Sequence, residues 1–127
     1  MCNSNLAESS TYDLTAFSPV TLKIRELNDL YRKTSDEKIG QTVLTRSVAD
    51  MDIADRENIV SLTRNFDSFN EENDPHGEHD FFSFEYLGVK FMAKFDYYDK
   101  TLKHGTEFPE DPDRCTRVLT IMCASDW

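Results

Sequence analysis

His76 and His79 stand three residues apart inside the stretch NEENDPHGEHDFFSFEY, residues 70–86, surrounded by Glu71, Glu72, Asp74, Glu78 and Asp80 with no lysine or arginine. Imidazole nitrogen and carboxylate oxygen together suit a divalent metal such as zinc or manganese, so His76, His79 and Asp80 are candidate ligands, and His104 further along could join them. A metal-binding module or a metal-dependent hydrolase would use this HGEHD loop. Against that chemistry, the two histidines do not sit on a helix and no cysteine pair accompanies them, whereas structural metal sites usually show four clear ligands. A second reading is structural. Asp74, Pro75 and Gly77 spell a tight turn, and a histidine beside it can donate to a carboxylate or a backbone carbonyl and pin the loop. The chain offers no nucleophile elbow, no phosphate-cradling glycine loop and no recognisable Cys/His arrangement. No catalytic residue is assigned, and a non-enzymatic protein is expected.

A third reading treats the carboxylates as a surface. Acidic residues gather in three segments: Asp50, Asp52, Asp55 and Glu57; then Asp67, Glu71, Glu72, Asp74 and Glu78; then Glu110, Asp111 and Asp113. All three fall in connections or helix starts. If the fold brought them to one end, their charges would imitate a nucleic-acid backbone and occupy a basic groove on a partner, with affinity falling as salt rises. Tyr97, Tyr98, Phe108 and Trp127 are expected to anchor such a contact. The bland alternative is that acids at helix N-termini and turns serve local energetics, each worth a few tenths of a kcal/mol.

The elements that must position these groups are legible from periodicity. Residues 1–17 are polar and read as a loosely held leader, and residues 18–127 as one domain. Ser18 and Pro19 open a helix with Val20, Ile24, Leu27 and either Leu30 or Tyr31 inward, closed by Arg32 and Lys33. Residues 41–48 are rich in β-branched side chains and predict a strand. Residues 52–69 predict a second helix with Ile59, Leu62, Phe66 and Phe69 on one face. Phe82, Phe84 and Tyr86 alternate, as do Val89, Phe91, Ala93, Phe95 and Tyr97, and Gly88 between them marks a hairpin. Lys90, Lys94 and Asp96 put the opposite face of that second strand toward solvent. Residues 115–124 read as a central strand, covered on both faces. The order of elements predicts an α+β fold, an antiparallel or mixed sheet of about four strands with two helices packed on one face.

Composition narrows the partners. Twenty-four acidic against fourteen basic side chains leave a formal charge of −10, which disfavours direct contact with DNA, RNA or anionic lipid and favours a basic surface. Hydrophobic residues at 39%, with nine Phe and five Tyr, supply enough apolar area for a core. Cys2, Cys115 and Cys123 cannot all pair, and the latter two lie about 26 Å apart along one predicted strand, so a reduced, cytoplasmic setting is expected. The first residues have no basic n-region or apolar core of a signal peptide.

The strings NDPHGEHDFFSFE, KFDYYDKTLKHGTEFPEDP and TRVLTIMCASDW together resemble a family of small bacterial proteins of unknown function, frequent on plasmids and prophages. The resemblance runs from about residue 24 to the C-terminus. Relatives of this kind continue from His-Asp-Phe into a glycine where this chain has Phe82. The resemblance implies no catalytic residue; it implies a mobile-element habitat, where small proteins often act on host defence. The expected function is therefore inhibition of a nucleic-acid-handling defence complex, a CRISPR effector or a restriction enzyme, by occupying its basic surface. No cofactor is expected on that reading. A homodimer in which KFDYYDK pairs edge to edge is a further expectation.

Overall fold

The computed structural model describes residues 14–127, so the predicted leader lies, up to residue 13, outside the described residues. A short 3₁₀ turn, Leu14–Ala16, leads into helix α1, Pro19–Thr34. Ser18 caps it as expected, its Oγ accepting from the Thr21 amide at 3.1 Å, with Pro19 in the first turn. Ser35 closes the helix in the left-handed region, φ 55°, its N–H donating to the Tyr31 carbonyl. Ile24, Leu27 and Tyr31 are buried, whereas Val20 and Leu30 are exposed. The same face also buries Asn28 and Arg32.

Strand β1, Gly40–Leu44, is shorter than predicted. The predicted strand 41–48 gives way to a helical turn, α2, Arg46–Ala49. β1 pairs with residues 117–121, and after Leu44 the ladder ends with the Thr45 amide on the Ile121 carbonyl. Asp126 then gathers the hydroxyls of Thr45 and Ser47, and Val48 turns into the core. A tertiary carboxylate thus overrides β-propensity.

Helix α3, Ile53–Asn65, follows. It also ends earlier than its apolar spacing predicts: Phe66 is extended, so Phe66 and Phe69 leave the helix. Phe66 stacks on Phe82 at 4.5 Å between centroids, and Phe69 meets both rings edge-on. Leu62, predicted inward, is 40% exposed, and Thr63 is buried in its place, its hydroxyl returned to the Ile59 carbonyl.

Strands β2, Phe81–Tyr86, and β3, Val89–Tyr98, form the predicted hairpin. Leu87 and Gly88 both have positive φ, 53° and 79°, the two-residue turn that matches strand twist. Strand β4, Thr116–Cys123, completes a sheet of order β1-β4-β3-β2, with β1 parallel to β4 and the other pairs antiparallel. The fold is α+β with a mixed four-stranded sheet. The central position of β4 is as predicted. Its coverage is uneven: Arg117, Leu119 and Ile121 are buried under the helices, while on the other face Met122 is buried and Thr116, Val118 and Thr120 are half-buried.

The core lies between the helices and one sheet face, where Phe82, Phe91, Ala93, Phe95, Leu119 and Ile121 meet Tyr31, Val48, Ile59 and Phe69. KFDYYDK offers no open edge. β3 lies between β2 and β4, and past the end of β2 the Thr106 amide donates to the Tyr97 carbonyl while Gly105 bridges Tyr98. The edge strands are β1 and β2.

Candidate functional site

The loop of residues 70–80 is held by its own asparagines. The Asn70 side chain accepts from the Glu72 and Asn73 amides, and that of Asn73 accepts from the Asn70 amide. The predicted turn is present, with the Gly77 amide on the Asp74 carbonyl at 3.1 Å and Gly77 at φ 78°. A Cβ on Gly77 would lie 2.7 Å from the Phe17 ring, so this position needs glycine twice over.

Helix α1 receives the loop with a polar stripe. Arg25, Asn28, Asp29 and Arg32 recur at helical spacing on the buried side. Arg25 Nε donates to the Gly77 carbonyl at 2.6 Å, and Asn28 Nδ2 to the Glu78 carbonyl at 3.0 Å. His79 Nδ1 lies 3.0 Å from both Asp29 oxygens, its Nε2 lies 3.5 Å from Asp74 Oδ2, and Phe69 stacks flat on the ring at 3.7 Å. A carboxylate thus faces each ring nitrogen. The Asp74 Oδ1 also accepts from the His79 amide, which supports the left-handed backbone there, φ 56°. Burial pushes the Asp29 carboxyl up, but the bonds and charges of His79 and Arg32 outweigh it and hold the group below its ordinary value.

Beside this cluster lies a node whose cation has no carboxylate paired with it among the described residues. Arg117 is fully buried. Its Nε donates to Asn28 Oδ1 at 2.6 Å, its Nη2 to the Pro109 carbonyl at 2.6 Å, and its guanidinium sits 5.2 Å from the Tyr97 ring centroid. Asn28 Nδ2 also donates to the Tyr97 hydroxyl, which donates to Glu78 Oε1 at 2.8 Å. Burial, with the Glu78 carboxylate alongside, drives the Tyr97 phenol far up and keeps it a donor. Burial lowers Arg117 from its ordinary value.

The candidate ligands do not converge. His76 is exposed, His104 is exposed on another loop, and Asp80 is half-buried with its carbonyl taken by the Phe95 amide. Among the described residues no three His, Cys, Asp or Glu side chains are grouped to hold a metal. His79 instead joins Asp29 and Asp74, and Asp29 is the partner the sequence reading missed. The sequence carries only a partial signal, polar Asn28, Asp29 and Arg32 at helical spacing among Ile24, Leu27 and Tyr31, which marks a polar stripe and not its partner.

The acidic segments divide between two ends. Tyr86 donates to Asp55 at 2.7 Å, so Asp50, Asp52, Asp55 and Glu57 belong with the hairpin turn. Tyr97 donates to Glu78, so the 67–80 loop belongs at the opposite end of β3. Tyr86 pairs with Val89, and the eight residue steps of strand from Val89 to Tyr97 span about 26 Å. The single continuous patch expected from all twelve residues is therefore not formed. Asp74, moreover, is 3% exposed and points inward, and Glu78 is half-buried on Tyr97. Two segments do meet: Glu78 and Pro109 both attach to the Arg117 node, which brings residues 70–78 and 107–113 together. There Glu71, Glu72 and Asp113 are exposed, Glu110 is half-buried, and Asp111 is paired with Arg114 at 3.0 Å. Of the expected aromatic anchors, Phe108 and Trp127 are exposed, Tyr98 is half-buried and the Tyr97 hydroxyl is committed to the node.

The sequence model of the family DUF3768, protein of unknown function, matches residues 44–126, which is 83 of 127 residues. The chain belongs to DUF3768. No curated protein and no solved structure matches it. In DUF3768 terms, the matched segment runs from the end of β1 to the last turn and includes the acidic loops, the hairpin and β4. Helix α1, which supplies Arg25, Asn28, Asp29 and Arg32, precedes it. No helix among the described residues is long and apolar enough to cross a membrane.

Two carboxyls near the node predict a pH dependence of stability. Burial pushes both Glu78 and Asp80 up, with the Asp74 charge adding to the effect. A carboxyl whose folded value is raised binds its proton more tightly when folded, so stability increases as pH falls from neutral toward the unfolded values near about 4. Asp29 acts oppositely, and its contribution is lost as pH falls through its lowered folded value. Thermal midpoints should pass through a maximum on the mildly acidic side. In E78Q/D80N, measured over the same range, the rise from neutral pH should disappear; a rise of unchanged size would remove these two groups as its source.

Proposed function

We infer that this protein is an acidic binding protein of a mobile element that inhibits a nucleic-acid-handling defence complex, a CRISPR effector or a restriction enzyme, by covering part of its basic surface. Its place of action on that reading is the cytoplasm, and the reading needs neither cofactor nor direct nucleic-acid contact. The observation that supports it is the joining of the 70–78 and 107–113 loops at the Arg117 node, which sets Glu71, Glu72, Glu110 and Asp113 at one end of a molecule of charge −10. This is a short anionic end, smaller than the twelve-residue surface expected from sequence. It suits a local block of a basic groove better than imitation of a long duplex, because the acids at the hairpin end are about 26 Å away.

The test begins with capture of partners from the host and their identification by mass spectrometry. The captured complex is then assayed for nucleic-acid binding with wild-type protein and with E71K/E72K/E110K/D113K added. The wild type should displace nucleic acid, more weakly as salt rises, and the variant should lose about tenfold or more in affinity. D50K/D52K/E57K, at the opposite end, should compete like wild type. Equal competition by the first variant, or displacement indifferent to salt, would overturn the reading.

A further inference from the structure

The protein is acidic overall, yet one concave site on it is basic. A pocket of about 350 Å³ opens between the C-terminal half of α1, the end of α3 and the segment after it. Arg32, Lys33 and Arg64 line it against Asp29 and Asp67, with Arg25 at its side engaged by the Gly77 carbonyl and the Phe17 ring. The Asp29 charge is already shared between Arg32 and His79. Lys33 and Arg64 are exposed, and among the described residues their side chains make no hydrogen bond or ion pair. Arg32, by contrast, is 4% exposed and rigidly held, so one wall carries a fixed charge and the rim two movable ones. Phe66 and Phe69 add an apolar wall.

Solvated surface cations in a chain of this charge would be expected to lie near carboxylates. Lys33 and Arg64 share the pocket with Asp67 but form no ion pair with it or with any other described carboxylate, and on the rim of a pocket with Arg32 in its wall they raise the local potential where the surroundings would lower it. We propose that this pocket binds a phosphate monoester. Its two charges at neutral pH match the two rim cations that form no ion pair among the described residues, Lys33 and Arg64, a guanidinium fork suits a pair of its oxygens, and the aromatic wall takes an organic body. The volume lies at the small end of ligand sites, room for a phosphate with one ring system. The site shares none of Glu71, Glu72, Glu110 and Asp113, so it stands independently of the function proposed above. The same headgroup is presented by a free small molecule and by the 5′ end of an oligonucleotide.

Binding is read by amide chemical-shift titration of the full chain with inorganic phosphate, phenyl phosphate, phenol, adenosine 5′-monophosphate, and a short oligonucleotide with and without its 5′-phosphate. Phenyl phosphate should bind more tightly than inorganic phosphate, with shifts centred on residues 29–33 and 64–69, and phenol should not bind. K33E/R64E should weaken phenyl phosphate about tenfold or more, while K90E on the open sheet face leaves it unchanged. Both substituted side chains are exposed, so the thermal midpoint should hold; if it does not, K33Q and R64Q separately serve the same comparison. The oligonucleotide arm names the source: binding only of the small esters assigns a metabolite, and binding that requires the 5′-phosphate assigns a nucleic-acid end. No saturable shift with any ester, or equal affinity in wild type and K33E/R64E, would overturn the proposal. E71K/E72K/E110K/D113K should keep the phosphate affinity, so failure here and failure of the acidic-end reading are told apart.

Discussion

Arg117→Ala should destabilise the protein by about 3–5 kcal/mol, enough to leave a domain of this size marginal. Removing the side chain opens a cavity in the core and strips the buried Asn28 Oδ1 and the partly buried Pro109 carbonyl of their donor. The node joins α1, the 107–113 loop, β3 and β4, so the loss is not confined to one element. Arg117→Met should cost less, because the volume is kept while the unpaired acceptors remain. Adding Asn28→Leu to Arg117→Met should then cost less than the sum of the two single changes, since each single change orphans a partner that the pair removes together. Urea denaturation of the four variants, Asn28→Leu alone included, gives the values. A cost for Arg117→Ala below about 1 kcal/mol, or strict additivity of the pair, would show that the node is not a coupled unit.

The second large effect belongs to Arg32. Its Nη1 donates to the Thr63 and Phe66 carbonyls at 3.0 and 2.9 Å, and its Nη2 to Asp29 Oδ1 at 2.9 Å, beneath the rings of Phe69 and Phe82. This cation closes α3. The last carbonyls of any helix lack partners within it, and α3 has no glycine or reversed turn of its own to supply them. Arg32→Ala should therefore cost about 3 kcal/mol and, in hydrogen exchange, lower the protection of the last turn of α3 more than that of β3 or β4. Arg32→Lys keeps the charge but not the fork, and one ammonium cannot reach both the helix end and Asp29, so most of the loss should persist. Uniform loss of protection across the molecule, with no excess in α3, would refute this role.

Arg32 also shows where sequence reading stops. At the end of α1 it reads as a solvated cation favourable to the helix dipole, and its position in the last turn agrees with that. That it is buried, and that it ends a different helix, depends on Phe66 leaving α3 and on α1 crossing that end. The 3.6-residue spacing of Ile59, Leu62, Phe66 and Phe69 continues past the point where the backbone stops being helical, and Phe66 and Phe69 pack on Phe82 from the segment beyond it. Periodicity records which residues are apolar; it does not record which element carries them. The same holds for residues 45–48, whose β-branched character yields to Asp126, a residue about eighty positions away.

The histidine loop divides in the same way. Its turn was legible, since Asp-Pro-His-Gly restricts the backbone locally. The identity of the groups around His79 was not, because Asp29 lies fifty residues upstream.

The α+β class, the capped first helix, the hairpin with its turn at Gly88 and the central place of β4 were all set by local chemistry: capping groups, alternation and run length act over a few residues and need no partner to be read. The separation of the acids to two ends, the burial of Asp74, and the grouping of Lys33 with Arg64 around a basic pocket were decided only by the tertiary structure. Charge has no periodicity tied to the backbone. Where a charged side chain ends up, and beside which other, is fixed by the packing of the apolar faces that carry it.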